Sequence, residues 1–293
     1  MPDFVERYRR HYGVPDAVEL SLDHLRHHLI VELEVTRDLL ESEPEQRHHA
    51  FAEGYARIYR ELWWFNVADD AADPGAVDID GWRAMIGPPP RRVYEVGSGQ
   101  GTLARALAQA GYDVVATDIS SERGGARTGE PGMTWGETDG VHLDRFAEPG
   151  TFDAVISDQM VEHLHPDDFL PHLRSARALL KPGGKYAFRT PHGPSGPYDS
   201  SLPFGFPLAL ATHLREYCFS SRVALLRSAG YREVLAERPS REGPVPSAAY
   251  VRYLTFAEQQ LDRLPLRLRR LVVKRLLRDR IAFRRNAILA ATA

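Results

Sequence analysis

Along the first eighty or so residues apolar positions recur at helical spacing, and no segment alternates as a half-buried strand would. Leu22, Leu25, Leu29, Leu33, Thr36 and Leu40 follow one another at intervals that predict a helix over 21–40. Ser42-Glu43-Pro44-Glu45 breaks it. A second helix is expected over about 44–65, burying Phe51, Tyr55, Ile58, Tyr59, Leu62 and Trp63. An Asp/Ala/Pro/Gly stretch at 69–75 reads as a loop, and Gly87-Pro88-Pro89-Pro90 as a stiff hinge.

After residue 92 the pattern changes. Short apolar runs alternate with helical ones as far as about residue 190, which predicts a parallel sheet with helices on both faces. The segment 190–199 is too rich in proline and glycine for helix or strand, and it reads as a loop at the carboxyl edge of the sheet, where such sheets bind ligands. A helix over 220–228 and a sixth strand over 230–235 follow. The last strand is expected at 286–292, after an insertion over about 239–285.

Candidate chemistry lies at the strand ends. Val93-Tyr94-Glu95-Val96-Gly97-Ser98-Gly99-Gln100-Gly101 joins a buried strand to a helical pattern through three glycines. Such a turn lets a ligand approach main-chain N–H groups at a helix start. The spacing is G-x-G-x-G, one residue shorter than the dinucleotide fingerprint, and Glu95 stands two residues before the first glycine. A second strand ends in the carboxylate of Asp118. Met133 to Leu143 includes Asp139 and Gly140, Phe152 to Leu164 contains F-D-A-V and E-H-L, and Leu179-Leu180-Lys181-Pro182-Gly183-Gly184 is a tight turn into a fifth strand.

These five segments, in this order, resemble the class I S-adenosylmethionine (SAM)-dependent methyltransferases from about Arg92 to Glu237. The resemblance implies an α/β Rossmann-like sheet of seven strands, six parallel and the last antiparallel, with helices on both faces. It divides the chain into a helical N-terminal cap (1–87), packed over the ligand-binding edge, and a SAM-binding domain (88–293). It implies SAM as cofactor, S-adenosylhomocysteine as product and an activity of class EC 2.1.1.-. Glu95, Gly97, Ser98, Gly99, Gly101, Asp118, Ile119, Asp139, Gly140 and Asp158 are the implied cofactor contacts. Asp118 would take the ribose hydroxyls; Asp139 would take the adenine amino group, with Glu137 or the Thr138 hydroxyl as alternatives. His163, just past the fourth strand, is the expected general base, because an imidazole titrates near neutrality. His192, Tyr198, Asp199, His213 and Tyr217 are candidate substrate contacts. The acceptor is expected to be a small molecule or glycan, methylated on oxygen. Ser157-Asp158-Gln159-Met160 stands where amine methyltransferases of nucleobases or glutamine carry an N-P-P-[FY]-like tetrapeptide.

Composition narrows the alternatives. The chain is 43% hydrophobic and 26% charged with a net charge of −3, so no overall field favours nucleic acid. Its one cysteine, Cys218, excludes an internal disulfide and a cysteine zinc cluster and is compatible with a cytoplasmic protein. The first residues lack an apolar leader pattern, and no run approaches the ~18 apolar residues of a spanning helix. His24, His28 and Glu32 share a helix face, but no further ligand is evident and no metal site is expected. The arginine-rich stretch 264–285 reads as an amphipathic helix packed on the domain with its arginines in water. An anionic partner or a peripheral membrane contact is the alternative reading.

Overall fold

The computed structural model describes residues 2–65, 67, 77, 79–120, 129–272 and 288–293. The chain forms two compact units. One comprises Met1–Ala76 with Gly196–Leu214, the other Val77–Ser195 with Arg215–Ala293.

The first unit contains helices α1 (Pro2–Tyr12), α2 (Leu22–Leu40) and α3 (Arg47–Glu61), and the short helix Ser201–Phe204. Ser21 caps α2 by accepting the His24 N–H, while the His24 ring accepts from the Ser21 N–H. The buried stripe of α2 is not the leucine series of the sequence pattern. Leu22, Leu33 and Leu40 are exposed; Leu25, His28, Val31, Glu32, Val35, Thr36 and Leu39 face the core. His28 enters this core because both of its ring nitrogens find partners there. The Tyr8 hydroxyl lies 2.6 Å from His28 Nδ1, Glu32 lies 3.0 Å from His28 Nε2, and the Trp64 indole N–H donates to Tyr8. Trp64, not Trp63, is the buried tryptophan, since α3 stops at Glu61 and the non-helical Leu62 (φ −106, ψ 47) resets the period. Of the segment 190–199 read as loop, only Gly193–Ser195 is helical, as a single 3-10 turn, and just beyond it the Asp199 carboxylate accepts the Ser201 N–H where the short helix Ser201–Phe204 begins.

The second unit is a sheet with helices on both faces. Its strands are β1 (Arg92–Val96), β2 (Asp113–Asp118), β3 (Met133–Glu137), β4 (Phe152–Asp158), β5 (Leu180–Arg189), β6 (Glu233–Arg238), β7 (Val245–Ser247) and β8 (Leu289–Thr292). They lie in the order β3-β2-β1-β4-β5-β8-β6-β7. Strands β1 to β5 pair in parallel, and β8 runs antiparallel between β5 and β6. The sheet thus has the Rossmann-like arrangement with eight strands rather than seven. The extra one is β7, a three-residue edge strand that pairs with β6 through Ala236 and Ser247 inside the region read as an insertion.

Alternation along the strands feeds two cores. Tyr94, Val96, Val155, Tyr186 and Phe188 point to the face covered by α6 (Phe169–Leu179), α7 (Phe219–Ser228) and α8 (Ala248–Asp262). Val93, Val114, Ala154 and Ile156 point to the face covered by α4 (Ile79–Ile86) and α5 (Thr102–Gln109). Trp82, Met85 and Ile86 bury α4 in this second core, so it groups with the sheet. A short helix α9 (Leu266–Val272) follows α8; most of the arginine-rich stretch lies outside the described residues. No described helix is long and apolar enough to cross a membrane.

Candidate active site

The β1–α5 turn is tied to the end of β2. The Ser98 N–H donates to the Thr117 carbonyl, the Thr117 N–H donates to Ser98 Oγ, and Thr117 Oγ1 donates to the Glu95 carbonyl. Asp118 completes the latch by accepting the Gly99 N–H at 2.7 Å and the Ile119 N–H at 2.8 Å. Gly97 has φ +71, and a Cβ there would overlap the Met160 side chain. Gly99 has φ +53, and a Cβ there would enter open space. Two needs therefore fix two glycines: close packing beneath the turn at Gly97, and a left-handed backbone facing free volume at Gly99.

The carboxyl groups here are buried unequally. Burial raises the pKa of Asp118, and the backbone N–H groups of Gly99, Ile119 and Ser120 work against that rise. Glu95 is 2% exposed, and burial followed by the charge of Asp158 pushes it up to about 8. Its Oε2 has no hydrogen-bond partner among the described residues. Asp158, at the end of β4, is held by a bidentate pair with Arg189, its cross-strand neighbour on β5. The sequence reading left out Arg189, although an acid and a base ending adjacent strands suggest such a pair.

Gln159 follows Asp158 and was also missed. It is the one described non-glycine residue with positive φ (+55), and its Nε2 is buried without a partner among the described residues. Residues held in this way cluster at functional sites. The chain then makes a tight turn in which the His163 N–H donates to the Met160 carbonyl, leaving the His163 side chain half-buried. Its neighbour Glu162 is fully buried. Burial, then hydrogen bonds and the charges of Asp158 and Glu216, leave its carboxyl at about 8, while Oε2 accepts from the Thr190 hydroxyl at 2.8 Å.

Asp139 and Gly140 lie after β3. Asp139 Oδ1 accepts the N–H groups of Val141 and His142, and Oδ2 lies 2.8 Å from His142 Nδ1. Burial alone would raise its pKa, but these bonds bring it below the usual carboxylate range. Gly140 is anchored through its carbonyl to buried His172, whose other ring nitrogen meets the Tyr186 hydroxyl. Burial lowers His172 to about 4, so it is neutral.

The substrate candidates divide. His192 is 2% exposed; Nε2 lies 2.7 Å from Glu258 Oε1 and Nδ1 lies 3.1 Å from Ser195 Oγ, which leaves no ring nitrogen for a ligand. Tyr217 is part of the apolar core against Phe169. Tyr198, Asp199 and His213 belong to the N-terminal unit, where Asp199 is 5% exposed and organises its loop by accepting the N–H groups of Ser201, Leu210 and Ala211.

A family model described as a methyltransferase domain matches residues 78–234, more than half of the chain. The chain belongs to this family. The fold is also that of solved proteins. It resembles a Burkholderia thailandensis 1,6-didemethyltoxoflavin-N1-methyltransferase, crystallised with its substrate and S-adenosylhomocysteine, at TM-score 0.53 and 17% identity over 86% of this chain and 90% of that one. A SAM-dependent methyltransferase from Archaeoglobus fulgidus aligns at TM-score 0.51 and 16% identity over 79% of this chain and all of the other. Among curated proteins, the ubiquinone biosynthesis O-methyltransferase of Xanthomonas campestris pv. campestris (strain B100) is 34% identical over 135 residues, 42% of this chain and 53% of that protein. Its counterpart from Bordetella avium (strain 197N) is 33% identical over 109 residues, 34% of this chain and 42% of that one. The chain spans about half the length, or less, of these curated relatives.

The methyltransferase turn fits a nucleoside cofactor. The space at Gly99 is open, and the two oxygens of the Asp118 carboxyl group offer acceptor positions beyond those that the backbone N–H groups take up.

Proposed function

We propose that this methyltransferase transfers the methyl group of SAM to a hydroxyl oxygen of a small molecule, a sugar or a natural product. The observation that carries the cofactor assignment is the latch from the Asp118 carboxylate to the Gly99 N–H, which joins the glycine turn to the end of β2. Oxygen as the acceptor atom is supported by the curated relatives named as ubiquinone biosynthesis O-methyltransferases.

When bound, SAM supplies an electrophilic methyl group on a sulfonium. The chain's residues then have to bind, orient and take a proton. Asp118 would accept hydrogen bonds from the ribose hydroxyls. The turn from Gly97 to Gly101 offers main-chain N–H groups and a surface without side chains. Ile119, Asp139 and Gly140 would hold the adenine, Asp139 also shaping the Gly140 loop through its bonds to Val141 and His142. Asp158 and Arg189 stiffen the end of β4, from which the turn to His163 departs. His163 takes the proton of the acceptor hydroxyl at a ring nitrogen.

The test is product formation. The protein is incubated with SAM and a panel of phenols, catechols, sugars and aliphatic alcohols, alongside matched amines. Methyl ethers identified by mass spectrometry, at rates that fall with Asp118→Ala, support the reading. Methylation confined to the amines would overturn the choice of oxygen.

A further inference from the structure

Three neighbouring strands each end in a carboxyl group: Asp118 on β2, Glu95 on β1 and Asp158 on β4. Two of them have partners suited to an anion. Asp118 accepts main-chain N–H groups, and Asp158 holds the Arg189 guanidinium. Glu95 is different. It points to the face covered by α5, is 2% exposed and meets only the Ala104 N–H and the Ser98 hydroxyl, while Oε2 has no partner among the described residues. The charged groups that bear on it, Asp158 and Asp118, are both negative, and the cation that Asp158 holds, Arg189, is committed to that pair. Three adjacent carboxyl groups, of which only Asp158 has its charge matched by a described ion pair, are accommodated by a proton on the most buried one. Burial and then Asp158 push Glu95 up to about 8, in keeping with that arrangement.

The donor and product of the proposed reaction differ in charge at one atom: the donor is a sulfonium cation, the product a neutral thioether. Resting on the SAM reading, we propose that Glu95 gives up its proton when the sulfonium-bearing cofactor binds and keeps it when the thioether product binds. A fixed cation at this strand edge takes over the compensating role of the proton. Glu95 thereby makes the preference for donor over product depend on pH. The sign follows from the proton released: donor binding strengthens as pH rises through the range in which free Glu95 ionises, whereas product binding does not. Raising the pH from about 6.5 to about 8.5 should shift the donor-to-product affinity ratio by roughly 25-fold, as expected for an acid of pKa about 8.

The test is calorimetric titration with SAM and with S-adenosylhomocysteine, each in phosphate and in Tris at about pH 7.5, so that the difference in buffer ionisation heat counts protons. The wild-type protein should release roughly three-quarters of a proton more with SAM than the Glu95→Gln variant does, as expected for an acid of pKa about 8. With S-adenosylhomocysteine the two proteins should agree. A proton release with SAM that is equal in the wild-type protein and the Glu95→Gln variant belongs to the ligand's own amine and overturns the proposal. Infrared difference spectra of the wild-type protein provide a reading that does not depend on the variant folding. Loss of a protonated-carboxyl band on adding SAM but not S-adenosylhomocysteine supports the proposal; no change contradicts it. Binding of both ligands without proton release removes the Glu95 role and leaves the SAM reading intact, whereas failure of both to bind removes both.

Discussion

Glu258 on α8 offers the sharpest test of how the sheet unit holds the segment that leaves β5. The carboxylate is fully buried and accepts the Phe219 N–H and the Ser220 N–H, each at 2.7 Å, as well as His192 Nε2. It thus caps the first turn of α7 and pins the segment leaving β5 at the same time. Arg222, also buried, lies close enough to favour the anion and donates to the Thr190 carbonyl. Burial alone would raise the Glu258 pKa, but its hydrogen bonds hold it down at about 2. A carboxyl group held at about 2 instead of 4.5 contributes about 3 kcal/mol to stability at neutral pH. An independent estimate agrees in size: Glu258→Gln turns a charged acceptor of three bonds into a neutral one that brings its own N–H groups against buried donors, at ~1–3 kcal/mol for each bond compromised. We expect Glu258→Gln to lower stability by about 3 kcal/mol in urea unfolding. Hydrogen exchange should quicken in the segments around His192 and at the start of α7. The pH dependence has a definite sign. A depressed carboxyl pKa gives stability that is full above about 4.5 and is lost as pH falls towards about 2, so the wild-type advantage should shrink over that window. A variant within about 0.5 kcal/mol of wild type at pH 7, with unchanged exchange in both segments, would refute the reasoning.

Three other outcomes are expected. His163→Ala should lower turnover by roughly 10²-fold with cofactor affinity nearly kept, as measured by product formation alongside calorimetry; full activity would make His163 a packing residue. Glu162 keeps its proton up to about pH 8 in the folded chain but releases it near 4.5 when unfolded, so stability should fall as pH rises through that window. Glu162→Gln, which mimics the neutral acid, should flatten this fall in melting temperature between about pH 6 and 9, and an unchanged slope would count against a buried neutral Glu162. Gln159→Gly removes the cost of a left-handed side-chain-bearing residue and should raise stability by about 1 kcal/mol; a loss in denaturant unfolding would show that the Gln159 side chain contributes more than its backbone costs.

Much of the sheet was legible because its signals are local. Glycine spacing, an acid at a strand end and a proline–glycine turn are each complete within a few residues, so the β1–α5 turn and Asp118 could be read directly. What escaped the reading depends on distant partners. The His192 ring is taken up by Glu258, 66 positions away, and nothing near His192 marks it as buried. His28 and Glu32 break the apolar stripe of α2 because the His28 ring meets the Tyr8 hydroxyl on one nitrogen and the Glu32 carboxyl on the other. The edge strand β7 is three residues long and contains Pro246, so neither alternation nor propensity identifies it; its pairing with β6 does. Tyr217 carries a hydroxyl that suggested a ligand contact, whereas its ring serves the core against Phe169.

The central claim is that the Gly97–Gly101 turn and Asp118 bind SAM, and calorimetric titration with S-adenosylhomocysteine, with NAD as control, tests it most directly. The account predicts one-to-one binding of S-adenosylhomocysteine alone, weakened by about 1.5–3 kcal/mol in Asp118→Ala through loss of charge-assisted hydrogen bonds. Binding of NAD instead, or S-adenosylhomocysteine affinity unchanged by Asp118→Ala, would contradict it.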